Sequence, residues 1–178
     1  MTVPAALADL IVPAWTTNAR VTESLVRALP LQVYRAEIPG RPRRTVQMLA
    51  AHIHNSRCGW LRTLGSPLGI EAPGVLQREG VGKPDLVRAL KGSARAMERL
   101  FLLACERDGH LPATSRYVWR NLALDLGHLI TYFIAHEAHH RGQLLLIAQQ
   151  LGKPVAPKAA DAVWWWKPPR PTPRGRKR

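Results

Sequence analysis

A chain of 178 residues, 46% of them hydrophobic, is long enough for one domain with a self-sufficient core and short for two. Its two cysteines, Cys58 and Cys105, exclude a disulfide framework, and apolar stretches such as 144–148 fall far short of the roughly 20 residues a membrane helix needs. The formal net charge of +14 points to polyanions, but six of those charges lie after Asp161, at Lys167, Arg170, Arg174, Arg176, Lys177 and Arg178, leaving +8 for residues 1–161.

The first predicted helix runs from about Ala5 to Leu29, with Pro4 suited to its first turn and Pro30 ending it. Pro13 either kinks this helix or marks its true start; Trp15, Ala19, Thr22, Leu25, Val26 and Leu29 form its apolar side. Residues 30–44, with Pro39-Gly40 and Pro42, are expected as a loop. Thr45 is the N-cap of a second helix whose apolar positions include Val46, Leu49, Ala50, Ile53, Trp60, Leu61 and Leu64. Residues 65–84 contain five glycines and three prolines and form a long connection. Pro84 and Asp85 open a third helix through Leu86, Leu90, Met97, Leu100, Phe101 and Ala104, with Gly109 as its stop. The fourth, from about Asn121 to Leu151, is the longest and most apolar and ends before Gly152 and Pro154.

No strand of convincing alternation, repeat or glycine-rich phosphate loop is visible. The fold class expected is all-α, a four-helix bundle with long crossover connections, occupying residues 1–166 as one domain. Residues 167–178, with Pro168, Pro169, Pro171 and Pro173, are expected as a disordered basic tail that binds polyanions weakly and without sequence preference. The chain opens without a secretory leader, so the expected location is cytoplasmic. A nucleic-acid accessory role through the tail is one alternative, although no aromatic-basic interleaving or helix-turn-helix pattern accompanies the charge.

Six of the seven histidines lie on two predicted helices: His52 and His54 on the second, and His128, His136, His139 and His140 on the fourth. His136 and His140, four apart, differ by about 40° and about 6 Å and point the same way, so both can ligate one ion, with the third ligand coming from a facing helix. The run His136-Glu137-Ala138-His139-His140 also satisfies H-E-x-x-H, in which Glu serves a zinc protease as general base. A metzincin requires Gly and His where Gln143 and Leu146 stand, and the only acid after Glu137 is Asp161. Cys58 is expected to be a small core thiol without an assignable partner, Arg57 and Arg141 to be helix-surface charges, and Trp164 to Trp166 to pack on the end of the bundle.

The segment Leu49-Ala50-Ala51-His52-Ile53-His54-Asn55-Ser56-Arg57-Cys58-Gly59-Trp60 resembles the second-helix motif of the DinB-like (DinB/YfiT-like) superfamily, a His followed eight residues later by Trp. The segment from His136 to Gln143 resembles its other motif, H-x-x-x-H-R-G-Q. The likeness extends over about residues 10–166, including Trp15 and Asn18. It implies a four-helix bundle with His52, His136 and His140 on a divalent ion, zinc or nickel, completed by water. It also implies a homodimer and, as in some relatives, a transferase using low-molecular-weight thiols; a metal-dependent hydrolase and a non-catalytic metal-binding dimeric stress or interaction protein are the other expectations. Helical phase alone favours His54, which lies about 80° from the apolar stripe against about 120° for His52. The motif selects His52, and the roles of His54, His139 and Glu137 stay open.

Overall fold

The computed structural model describes residues 3–114, 116 and 118–164. The expected tail, 167–178, lies outside them, as do Trp165 and Trp166. The described residues are mostly helical. The long helices are α1 (Val3–Ala28), α3 (Val46–Trp60), α4 (Lys83–Cys105) and α5 (Leu126–Gln150); the short helix α2 (Leu31–Arg35) and one hairpin, β1 (Glu37–Ile38) with β2 (Arg41–Thr45), connect α1 to α3, and the short helix α6 (Pro157–Asp161) follows α5. α1 and α3 each pack against both α4 and α5. No helix among the described residues is long and apolar enough to cross a membrane.

α1 begins ten residues before Pro13 and runs through it, so Pro13 does not start the helix. Pro13 is exposed, where water can satisfy the carbonyl that a proline leaves without a partner. The buried face of α1 reads Trp15, Asn18, Val21, Thr22, Leu25 and Val26, continued by Leu29 just past its end, an apolar stripe interrupted by two polar residues one turn apart.

Residues 30–44 are more ordered than the expected loop. Pro39-Gly40 makes the hairpin turn, with Gly40 at φ 72° in the position of a type II turn that demands a left-handed residue. The strands gave no alternation to read, because Arg41 to Arg44 are all exposed. Ile38 pairs with Arg41 and Glu37 with Thr45, so Pro42, Arg43 and Arg44 loop out of the ladder, and Arg43 takes a φ of 62°.

Thr45 caps α3 as expected, its Oγ1 accepting the Met48 N–H at 3.3 Å. The helix then widens into a π-turn over Leu61–Gly65. The 69–82 connection is irregular but fastened to α3: Asn55 donates to the Leu76 carbonyl and accepts from the Leu76 N–H, both at 2.9 Å. α4 opens with Pro84 in its first turn, and Gly109, at φ 82°, sends its N–H back to the Ala104 carbonyl. α5 begins five residues later than expected. Arg120 and Asn121 adopt left-handed backbone in a 3-10 turn, and the effective cap is Asp125, whose carboxylate accepts the His128 N–H at 3.0 Å. Beyond Gly152, α6 and a turn at Ala162–Trp164 fold back onto α1. Trp164 is 72% exposed and does not pack on the bundle end as expected.

The core has two apolar halves. One gathers Trp15, Trp60, Met97, Phe101 and Phe133; the other gathers Leu25, Ile53, Leu90, Leu144 and Ile147. Between them along each long helix lie buried polar residues: Asn18 and Thr22 on α1, His54 and Arg57 on α3, Ser93 on α4, Glu137 and Arg141 on α5. A polar layer therefore crosses the middle of the protein. Because Thr45 starts the helix that carries His54 and Arg57 into this layer, Thr45→Ala is predicted to cost about 1 kcal/mol, read as a lower urea midpoint with an unchanged helical spectrum.

Candidate metal centre

On α5, His136 and His140 share a face, while Glu137 and Arg141 lie about 100° further round. The two faces meet different surroundings. His140 Nε2 stands 3.1 Å from His136 Nε2. His52 reaches in from α3, its ring centre 4.8 Å from that of His140 and 5.4 Å from that of His136. One nitrogen from each of the three rings lies within 4.8 Å of the other two. Ligands about 2.0–2.1 Å from a tetrahedral ion stand about 3.4 Å apart, so the cluster matches a metal's first shell after small ring rotations.

The proton positions also fit. His140 Nδ1 lies 2.8 Å from Gln143 Oε1, which can only accept, so Nδ1 carries the hydrogen and Nε2 presents its lone pair. Burial, followed by the neighbouring His140, lowers the pKa of His52 to about 4, and the same causes, with His52 added, bring His136 to about 4. Burial lowers His140 as well. All three are therefore neutral near pH 7, the state a metal ligand requires. Tyr132 stacks on the His136 ring at 17° and 5.7 Å and fixes its orientation.

Glu137 faces the polar layer. Its Oε1 accepts from Arg57 Nε and its Oε2 from Arg57 Nη2, both at 2.7 Å, and Oε2 also accepts from Asn18 and Thr22 at 2.9 Å. Arg141 completes the network with 2.8 Å bonds to Asn18 Oδ1 and Thr22 Oγ1. Arg57 and Arg141, expected on the surface, are 1% and 8% exposed; two charges are buried because one carboxylate answers both. With both oxygens held in this network, Glu137 is not placed as the base of an H-E-x-x-H protease.

His54 is buried as well. Its Nε2 donates to the Gly74 carbonyl at 3.0 Å and its Nδ1 meets Ser93 Oγ at 3.1 Å, so neither nitrogen is left for an ion. Helical phase, which favoured His54 for the site, was right about its depth, but both of its nitrogens are engaged elsewhere. Cys58 is a buried thiol, as expected, but it has a partner: His54 Nε2 lies 3.3 Å from its sulfur, one turn away at an i, i+4 spacing that is visible in the sequence. Burial pushes the Cys58 thiol up, away from the reactive thiolate. His139 is exposed.

Recesses border the triad. One of about 230 Å³ is lined by His52, Met48 and Arg78 among others, and a second of about 280 Å³ by His140, Gln143 and Leu146; Ile38, Arg41 and Leu49 line both. A third, of about 280 Å³, lies between Trp60, Trp119 and Tyr132.

A DinB family model matches residues 1–172, a span that includes both histidine-bearing helices and the polar layer. This chain belongs to the DinB family. No curated protein and no solved structure matches it. As a DinB chain, it carries the resemblance through the residues the fold now explains: Trp15 is buried and donates to the Ala94 carbonyl at 2.9 Å, Asn18 holds Glu137, and Trp60 packs edge-on against Phe133 beneath the triad.

Glu137→Ala leaves the Arg57 guanidinium buried without its counter-charge and is predicted to cost about 3–5 kcal/mol in urea unfolding, whereas Arg57→Met combined with Glu137→Leu costs much less than the sum of the single changes. The depressed histidines make stability depend on pH. The unfolded chain takes up protons near 6.5 and the folded chain near 4, so the stability tied to neutral imidazoles is full above pH 6.5 and is lost as pH falls toward 4. In the presence of chelator, His52→Gln/His136→Gln is predicted to flatten the fall of the urea midpoint across this window; an unchanged slope contradicts the assignment.

Proposed function

We propose that this DinB protein is a metal-dependent enzyme, built as a four-helix bundle over residues 1–166, in which His52, His136 and His140 hold one divalent ion, zinc or nickel. The observation that carries this reading is the convergence of three neutral imidazoles, two of which, His52 and His140, line open recesses. Three protein ligands leave positions for water and substrate, which separates a catalytic site from a closed structural one. The ion, when bound, would supply Lewis acidity and lower the pKa of a bound water or thiol. The protein's own groups orient the ligands: Gln143 fixes the His140 tautomer, and Tyr132 holds the His136 plane.

Transfer to or from a low-molecular-weight thiol, or hydrolysis, are the reactions this reading favours. A purely bracing ion between α3 and α5 would duplicate what Arg57 and Glu137 already do. A homodimer belongs to the same proposal, since α1 and α5 expose Leu10 and Leu146, at 73% and 56%, apolar side chains that a second copy would cover.

The test is metal analysis of protein purified in parallel as wild type, His52→Ala, His140→Ala and His54→Gln. Wild type and His54→Gln are predicted to hold one ion per chain, and the other two to lose it. Metal retained by His52→Ala and lost from His54→Gln would overturn the ligand set. The catalytic part is tested by a thiol-conjugation and hydrolysis screen, in which turnover must vanish with chelator and return with the ion.

A further inference from the structure

The recess beside His52 is lined by Arg41 and Arg44 from β2 and by Arg78 from the α3–α4 connection. All three are exposed, and none forms an ion pair among the described residues. No acidic residue lines this recess or the one beside His140. Glu37 is the only acid in the hairpin, and it accepts the Arg43 N–H at 3.3 Å.

Ordinary surface arginines need no explanation, but the backbone here is arranged around these. In a regular strand Arg41 and Arg43 would share a face and Arg44 would point the other way. The looped-out Pro42–Arg44 segment and the left-handed Arg43 break that alternation, and Arg41 and Arg44 come to line one recess together with His52. Bulges and left-handed non-glycine residues concentrate where a side chain must be re-aimed at a site. Arg78 comes from a separate segment, two residues beyond Leu76, whose backbone N–H and carbonyl are both held by Asn55. It lines the same recess as His52.

We propose that Arg41, Arg44 and Arg78 receive the oxyanion, carboxylate or phosphate, of a small-molecule substrate whose reacting end lies at the histidine triad. This rests on the metal-centre reading for the position of the reacting end. Three neutral imidazoles leave a dication with its full charge, and three unpaired guanidiniums beside it make an anion the ligand this cleft selects. Ile38, Met48 and Leu49 supply an apolar wall for the rest of the molecule. The substrate class is a small acid with an apolar body.

The experiment is isothermal titration of the full-length, metal-analysed protein with phenylphosphonate, phenylacetate and neutral phenylacetamide, for wild type and Arg41→Gln/Arg44→Gln/Arg78→Gln. At least one acid is expected to bind wild type while the amide does not, and its affinity is expected to fall by about tenfold or more in the variant, with metal content and helicity unchanged. The acid that binds more tightly identifies the head group. Equal affinity in the metal-loaded variant would mean that the ion alone draws the anion, and it overturns the proposal, as does failure of both acids to bind wild type. A variant that loses heparin binding but keeps the probe overturns it in favour of a polyanion surface. If the protein holds no metal, the metal-centre reading fails by itself, and the arginine dependence of probe binding still decides this inference.

Discussion

The ion pair between Arg57 and Glu137 sets the rotation of two helices at once. Its two parallel 2.7 Å hydrogen bonds accept little change in angle, and both residues are 1% exposed, so separating the pair leaves a buried charge without its partner, at a large penalty. Arg57 lies on α3 about 140° from His52, and Glu137 lies on α5 about 100° from His136. Fixing one face of each helix therefore fixes the other, and the face that remains brings His52 to His136 and His140. No buried side-chain polar atom among the described residues lacks a hydrogen-bond partner, the condition under which a polar layer can cross an apolar core.

The same layer separates rigidity from chemistry. Glu137 sits in the sequence where a zinc protease keeps its general base, yet its charge is used to neutralise Arg57 and to anchor Asn18 and Thr22. The histidines one step round the helix are left neutral, with His136 half-buried and His140 buried but lining an open recess. An ion in such a place keeps its charge and its access to solvent, unlike a structural ion closed off by four protein ligands.

Local signals made much of the fold legible. The Thr45 cap, the proline opening α4, Gly109 and Gly152 all act over one or two turns, and so does the i, i+4 pairing of His136 with His140. Other features depend on partners far away in the chain. Arg57 and Glu137 are 80 residues apart, and helical periodicity treats any arginine as a surface residue until its counter-charge is known. The clue lay in Asn18 and Thr22, two polar residues one turn apart on an apolar stripe, where a buried network had to answer them. The hairpin escaped because an exposed strand has no buried face to alternate with. For His52 and His54, depth and role separate: the residue nearer the core stripe is engaged by Gly74 and Ser93, and the one on its flank meets the other histidines.

X-ray absorption at the metal edge of the loaded, full-length protein tests the central claim most directly, because it counts imidazole ligands without reference to any reaction. The structure predicts three imidazole nitrogens at about 2.0–2.1 Å with oxygen completing the shell, and an identical spectrum for a His54→Gln variant. A shell containing a protein carboxylate, a sulfur, or only one or two imidazoles would contradict it.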